Sequence, residues 1–131
     1  MTFLCDTNLI SELARPQPNP GVLVWAARVS SISLSVITVE EIFYGLSAKP
    51  NLRIESWFEG FMEQYCNLLP ITAEIAQRSG ELRGQLRTKV KTHTQADMMI
   101  AATAQIHQLT LVTRNIRDFD GCGIPLLNPF T

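Results

Sequence analysis

The chain has 131 residues, of which 46% are hydrophobic and 18% charged, and its formal net charge is −1. That length suits one domain with a substantial core, and the near-neutral balance excludes a protein that holds nucleic acid by bulk positive charge. Cys5, Cys66 and Cys122 lack Cys-x-x-Cys spacing and the only histidines are His93 and His107, which argues against a disulfide framework or a zinc centre and leaves oxygen to hold any metal.

Residues 2 to 5 read as a strand whose apolar run stops at Asp6. The N-terminus has no basic n-region, and Asp6 breaks that run short of signal-peptide length, so export is not expected. From about 8 to 15 the pattern is helical and is ended by Pro16 and Pro18. Asn19 precedes Pro20 at the first turn of another helix, with Val22, Leu23, Trp25 and Ala26 following on one side. Residues 32 to 36 alternate with serines as a short strand. A helix over 38 to 48 places Val39, Ile42, Phe43 and Leu46 on one core-facing stripe and stops at Lys49-Pro50.

The most amphipathic segment follows, with Ile54, Trp57, Phe58, Phe61, Met62 and Tyr65 at helical spacing. Core burial is its default reading, while so many aromatics also suit a dimer contact or a partner peptide. Leu68, Leu69 and Ile71 suggest a strand; Thr72 and Thr94 are placed to cap helices reaching about 89 and 108. Leu109 to Thr113 and Pro125 to Leu127 read as the last strands. Met98 to Val112, which contains Gln105, His107 and Gln108, is too short and polar to span a membrane. Alternation of this kind predicts an α/β fold with a mostly parallel sheet covered by helices on both faces, in a protein of the reducing cytoplasm.

Four acids fall where such strands end or the following helices begin: Asp6, Glu41, Asp97 and Asp118. Open α/β sheets collect ligands along that edge. Carboxylates gathered there repel one another unless a divalent cation compensates, and Mg²⁺ or Mn²⁺ matches an all-oxygen donor set. Each acid also has a purely structural reading. Thr38-x-x-Glu41 and Thr94-x-x-Asp97 have capping-box spacing, Asp6 could cap the next helix, and Asp118 could be a turn residue. The run Arg78, Arg83, Arg87, Lys89, Lys91 and His93 faces the single acid Glu81; it reads as a solvated helix face or as a phosphate-contacting edge.

Asp6-Thr7-Asn8 with Ser11 and Leu13, Thr38-x-x-Glu41-Ile42-x-Tyr44-Gly45, Asp97-x-x-Ile100-Ala101-Ala102-Thr103-Ala104 and Val112-Thr113-Arg114-Asn115-x-x-Asp118-Phe119 follow one another in the chain. Together they closely resemble the PIN domain and, within it, the VapC- and FitB-like ribonuclease toxins of type II toxin–antitoxin systems. The resemblance runs from about residue 3 to Pro129. It implies a three-layer α/β/α sandwich, an endoribonuclease dependent on Mg²⁺ or Mn²⁺, a homodimer, and a cognate antitoxin that itself binds DNA. Asp6, Glu41, Asp97 and Asp118 match the family's acidic quartet; Asn8 and Thr113 fall beside it where they would orient ligands or water, Asn115 is a further orienting or substrate candidate, and the basic strip with Arg114 or Arg117 could hold the RNA backbone. Ile54, Trp57, Phe58 and Phe61 are the candidates for an antitoxin groove. The stretch from Lys89 to Thr94 lacks the Gly- or Pro-containing turn of many relatives, so substrate contacts are not carried over there.

Two other classes compete. One is a toxin-like regulatory subunit that binds an antitoxin and controls transcription through it, with little nuclease activity. The other is a receiver-like phosphoacceptor or phosphatase, which would want a second acid pair near Asp6 and a strand-end lysine, and no lysine follows Lys91.

Overall fold

The computed structural model of the protein describes residues 2–88 and 92–131. Five short strands, β1 (Phe3–Cys5), β2 (Ile32–Ser35), β3 (Cys66–Leu69), β4 (Thr110–Val112) and β5 (Leu126–Leu127), form one sheet in the order β3-β2-β1-β4-β5. Every pairing is parallel, with Leu4 opposite both Ser33 and Leu111. Parallel neighbours need crossovers, and among the described residues six helices connect or flank the strands: α1 (Thr7–Leu13), α2 (Pro20–Ala26), α3 (Val36–Ala48), α4 (Leu52–Tyr65), α5 (Ala73–Leu86) and α6 (Gln95–His107).

Period-two alternation divides the strand side chains between two cores. Leu4, Leu69 and Leu111 pack with Ile75, Leu82, Met98 and Ile100 of α5 and α6. Cys5, Ile32, Leu34 and Val112 face the other way, onto Leu9, Ile10, Val22 and Phe58 of α1, α2 and α4. Helices therefore cover both faces of the sheet, in the three-layer arrangement the sequence led us to expect. A short 3-10 turn, Ile116–Phe119, closes the α6 side through the buried Phe119.

Several expected boundaries move for local reasons. Helix α3 starts two residues before 38 because Ser35, not Thr38, is its N-cap, with Ser35 Oγ accepting from the Ile37 amide at 3.0 Å. Val36 thus leaves the strand, and Thr38 is fully buried inside the helix rather than at its end. Helix α1 ends at Leu13, short of the prolines, and α5 ends at Leu86. Ile71 lies outside β3. Leu23, placed by its spacing on the same side of α2 as Val22, is 47% exposed, whereas Val22 is buried.

Candidate active site

All strands being parallel, their carboxyl ends define one edge, and the acids reach it by different routes. Asp6 follows β1 directly and caps α1: its Oδ1 accepts from the Thr7 amide at 2.8 Å. Its Oδ2 accepts from the buried Thr113 hydroxyl at 2.8 Å and from Asn8 Nδ2 at 3.2 Å. Asn8 in turn accepts the Arg114 amide at 3.1 Å, and Thr113 Oγ1 accepts the Asn115 amide at 3.0 Å. This lattice ties the end of β1 to the end of β4 and fixes the orientation of the aspartate.

Glu41 lies in the second turn of α3, not the first, so it has no capping task. Thr7 Oγ1 donates to Glu41 Oε1 at 2.6 Å and stands 3.3 Å from the Thr38 hydroxyl. Thr7 thus bridges two acids from separate parts of the chain through its amide and its hydroxyl. Asp97 lies in the first turn of α6, whose cap, Thr94, accepts the Asp97 amide at 3.0 Å. Capping and site geometry coexist here, because the amide is satisfied by Thr94 while the carboxylate faces the other acids. Asp118 lies in the 3-10 turn, whose backbone carbonyl at that residue meets His93 Nδ1 at 3.2 Å.

Asp6, Glu41 and Asp97 line one open cleft together with Thr7, Asn8, Ser11, Glu12, Arg15, Arg114 and Asn115. Burial pushes the Asp6 carboxyl up; its bonds from Thr113, Thr7 and Asn8 oppose that shift, and the charge of Asp118 adds to it. Asp97 is likewise raised, first by burial and then by the charges of Asp6, Asp118 and Glu41, against a bond with Thr94. Among the described residues, no cation is in ion-pair contact with Asp6, Glu41 or Asp97, and no three His, Cys, Asp or Glu side chains converge at metal-coordination spacing. The acids feel one another's charge across the cleft without closing into a cage. An all-oxygen donor set this open suits a hard divalent cation that keeps several waters of its own, rather than a dehydrated all-protein cage.

The other sequence candidates separate. Phe58 is fully buried and belongs to the core, so it cannot line a groove. Ile54 lines a groove with Ile42, Leu46 and Lys49 that reaches Thr7 and Glu41. Phe61, stacked on Trp57 at 4.8 Å between ring centroids, lines a different, apolar cavity of about 260 Å³ with Leu13, Trp25, Val29 and Tyr65. The basic strip also divides. Arg78 bonds Gln105 of α6, His93 is buried against the 3-10 turn, Arg83 and Arg87 are exposed, and Lys89 and Lys91 lie outside the described residues. Thr7 had no role beyond its place in the Asp6-Thr7-Asn8 motif; its position next to an acid at a strand end was the available signal.

A parallel α/β/α sandwich with carboxylates lining the cleft at its carboxyl edge, a threonine and an asparagine fixing the first of them, places these acids where open α/β folds bind ligands. The PIN domain family profile matches residues 3–121, and the chain belongs to the PIN-domain family. Over an alignment 136 positions long it is 33% identical to the VapC ribonuclease Y4jK of Sinorhizobium fredii, spanning 98% of this chain and 97% of that protein. It is equally 33% identical to the toxin FitB of Neisseria gonorrhoeae, with 98% of each covered. Among solved structures, FitAB bound to the IR36 DNA fragment superposes with a TM-score of 0.83 at 33% identity, over 99% of this chain and 96% of that one.

Proposed function

We propose that the protein is a metal-dependent endoribonuclease and the toxin of a toxin–antitoxin pair. The observation that carries this reading is the placement of Asp6, Glu41 and Asp97 on one cleft, electrostatically coupled to Asp118, in a chain similar along its length to a VapC ribonuclease and to FitB. Asp6 and Asp97 would hold the principal divalent ion, Mg²⁺ or Mn²⁺, with Asp118 a ligand or an orienter of a bound water. When bound, the ion supplies a lowered water pKa and neutralises charge developing on the phosphate.

The chain's own groups do the rest. Glu41, held by the Thr7 hydroxyl, positions or deprotonates the attacking water. Thr113 and Asn8 keep the Asp6 oxygens aimed, and Asn115 and Arg114 flank the phosphodiester path. Asp6→Asn, which keeps the helix-capping oxygen, is expected to fold normally and to lose metal-dependent cleavage of RNA; full activity in the purified variant would sink the assignment.

A cognate antitoxin is the expected partner. The groove from Ile54 and Leu46 to Glu41 supports this, because a segment lying in it would reach the acids with a basic side chain. The similarity to FitAB bound to DNA favours a second role, in which the same complex binds operator DNA through the antitoxin. Cleavage by the isolated protein and its loss in Asp6→Asn separate a nuclease from a purely regulatory subunit. Two copies of the chain are expected to associate, which sedimentation of the purified protein would report.

A further inference from the structure

Arg114 leaves the end of β4 immediately after the buried Thr113 and lines the acidic cleft. Among the described residues no carboxylate is in ion-pair contact with it. Its guanidinium carbon instead lies 5.0 Å from the centroid of the Phe130 ring. A guanidinium lying over an aromatic face is attracted by the ring quadrupole and still presents N–H donors to an anion, which suits a phosphate-holding arginine beside a carboxylate site.

Phe130 is itself held. It packs partly buried against the core beneath α1 and α2, and its amide donates to Asn128 Oδ1 at 3.0 Å. The next residue is knotted to the start of α2: the Thr131 amide donates to Asn19 Oδ1 at 3.1 Å, and Asn19 Nδ2 donates to the Thr131 carbonyl at 2.9 Å. Gly21 permits this crossing, since a Cβ there would collide with the Pro129 carbonyl oxygen. The segment over 128 to 131 therefore forms a fixed shelf under a charged side chain at the edge of the cleft.

We propose that Phe130 is a positioning residue for the substrate: its ring holds the Arg114 guanidinium where it binds an RNA phosphate beside the one being cut. The proposal rests on the ribonuclease reading, and its test separates the two. A labelled single-stranded RNA would be titrated in Mg²⁺ against the Asp6→Asn protein, alone and with Phe130→Leu, Phe130→Tyr, Arg114→Ala or Phe130→Leu plus Arg114→Ala, at several salt concentrations. Phe130→Leu keeps apolar packing and removes the ring. It is expected to weaken RNA binding about threefold, and Arg114→Ala to weaken it about tenfold while lowering the salt slope by about one. Phe130→Tyr should restore binding, and the double variant should bind no more weakly than Arg114→Ala alone. Unchanged binding in Phe130→Leu, or an equal further loss in the Arg114→Ala background, would overturn the proposal. Wild-type protein that binds the RNA without cutting it would overturn the ribonuclease reading while leaving the Phe130 comparison decisive; wild-type protein that neither binds nor cuts would overturn both.

Discussion

The chemistry of the cleft is concentrated in side chains whose environments oppose their charge. Asp6 and Asp97 both carry raised pKa values, with burial as the largest cause and neighbouring acids adding to it. An acid whose folded pKa exceeds its unfolded one takes up protons on folding, so each contributes stability that is lost as pH rises from the ordinary aspartate range through the raised folded value. The metal-free protein is thus expected to lose thermal stability across that interval, and Asp6→Asn to flatten the loss in a pH series of melting curves. Thr7 invites a second test. Thr7→Val removes the 2.6 Å bond to Glu41 and keeps the amide that Asp6 caps. Stability should fall by only about 1 kcal/mol, whereas kcat should drop about tenfold with KM little changed, as a loosened general base predicts. An equal loss in kcat and binding would show that Thr7 serves the fold rather than Glu41. The acids were readable from the sequence because each stands at a strand end or in an early helical turn. Thr7's second bond was not, because it depends on which face of α3 turns toward α1.

At the level of elements, helix starts carry much of the design, since capping residues place the site as well as end the helices. Asp6, Asn19, Ser35, Asn51, Thr72 and Thr94 each accept a backbone amide at a helix N-terminus. Capping propensity made most of these starts legible. It misplaced α3 because Ser35 and Thr38 are both good caps, and burial of Thr38 decided between them. Asn19 has the heaviest duty, capping α2 through the Gly21 and Val22 amides while clasping Thr131. Asn19→Ala is expected to cost about 2 kcal/mol, at the upper end for a lost cap, seen as a lower denaturation midpoint. Asn19→Asp, which keeps the capping oxygen, should recover most of it. No sequence pattern announced the clasp, because it joins residues 19 and 131, for which periodicity carries no information. Helix α4 teaches the converse lesson. Its stripe was plain, yet spacing alone could not tell that Phe58 points into the core, Ile54 toward the Glu41 groove and Phe61 toward a separate cavity. Truncating Phe58 would test folding alone, since a fully buried phenylalanine is worth about 3–5 kcal/mol. Trp57→Ala is the informative variant for a partner: weakening antitoxin binding no more than it weakens folding would return Trp57 to the core.

For the molecule as a whole, the parallel sheet in the order β3-β2-β1-β4-β5 puts β1 at the centre, so its following loop is flanked by the ends of β2 and β4. The strand-and-helix alternation made the layered architecture legible, but strand order is a tertiary fact that alternation leaves open. No helix among the described residues is long and apolar enough to cross a membrane. With the acids crowded in one cleft, adding Mg²⁺ or Mn²⁺ should raise the melting temperature at neutral pH, by an amount that grows with ion concentration as binding to the native state alone requires. The rise should shrink in Asp6→Asn and in Asp97→Asn. An identical response in all three proteins would place the ion elsewhere.

The bonds around Asp6 have one further implication. Its two oxygens are engaged by Thr7, Asn8 and Thr113, so the tilt of that carboxyl plane is dictated by donors from the ends of two neighbouring strands. Removing any one donor should let the carboxylate swing and mis-aim the cleft while leaving the layers of the sandwich intact.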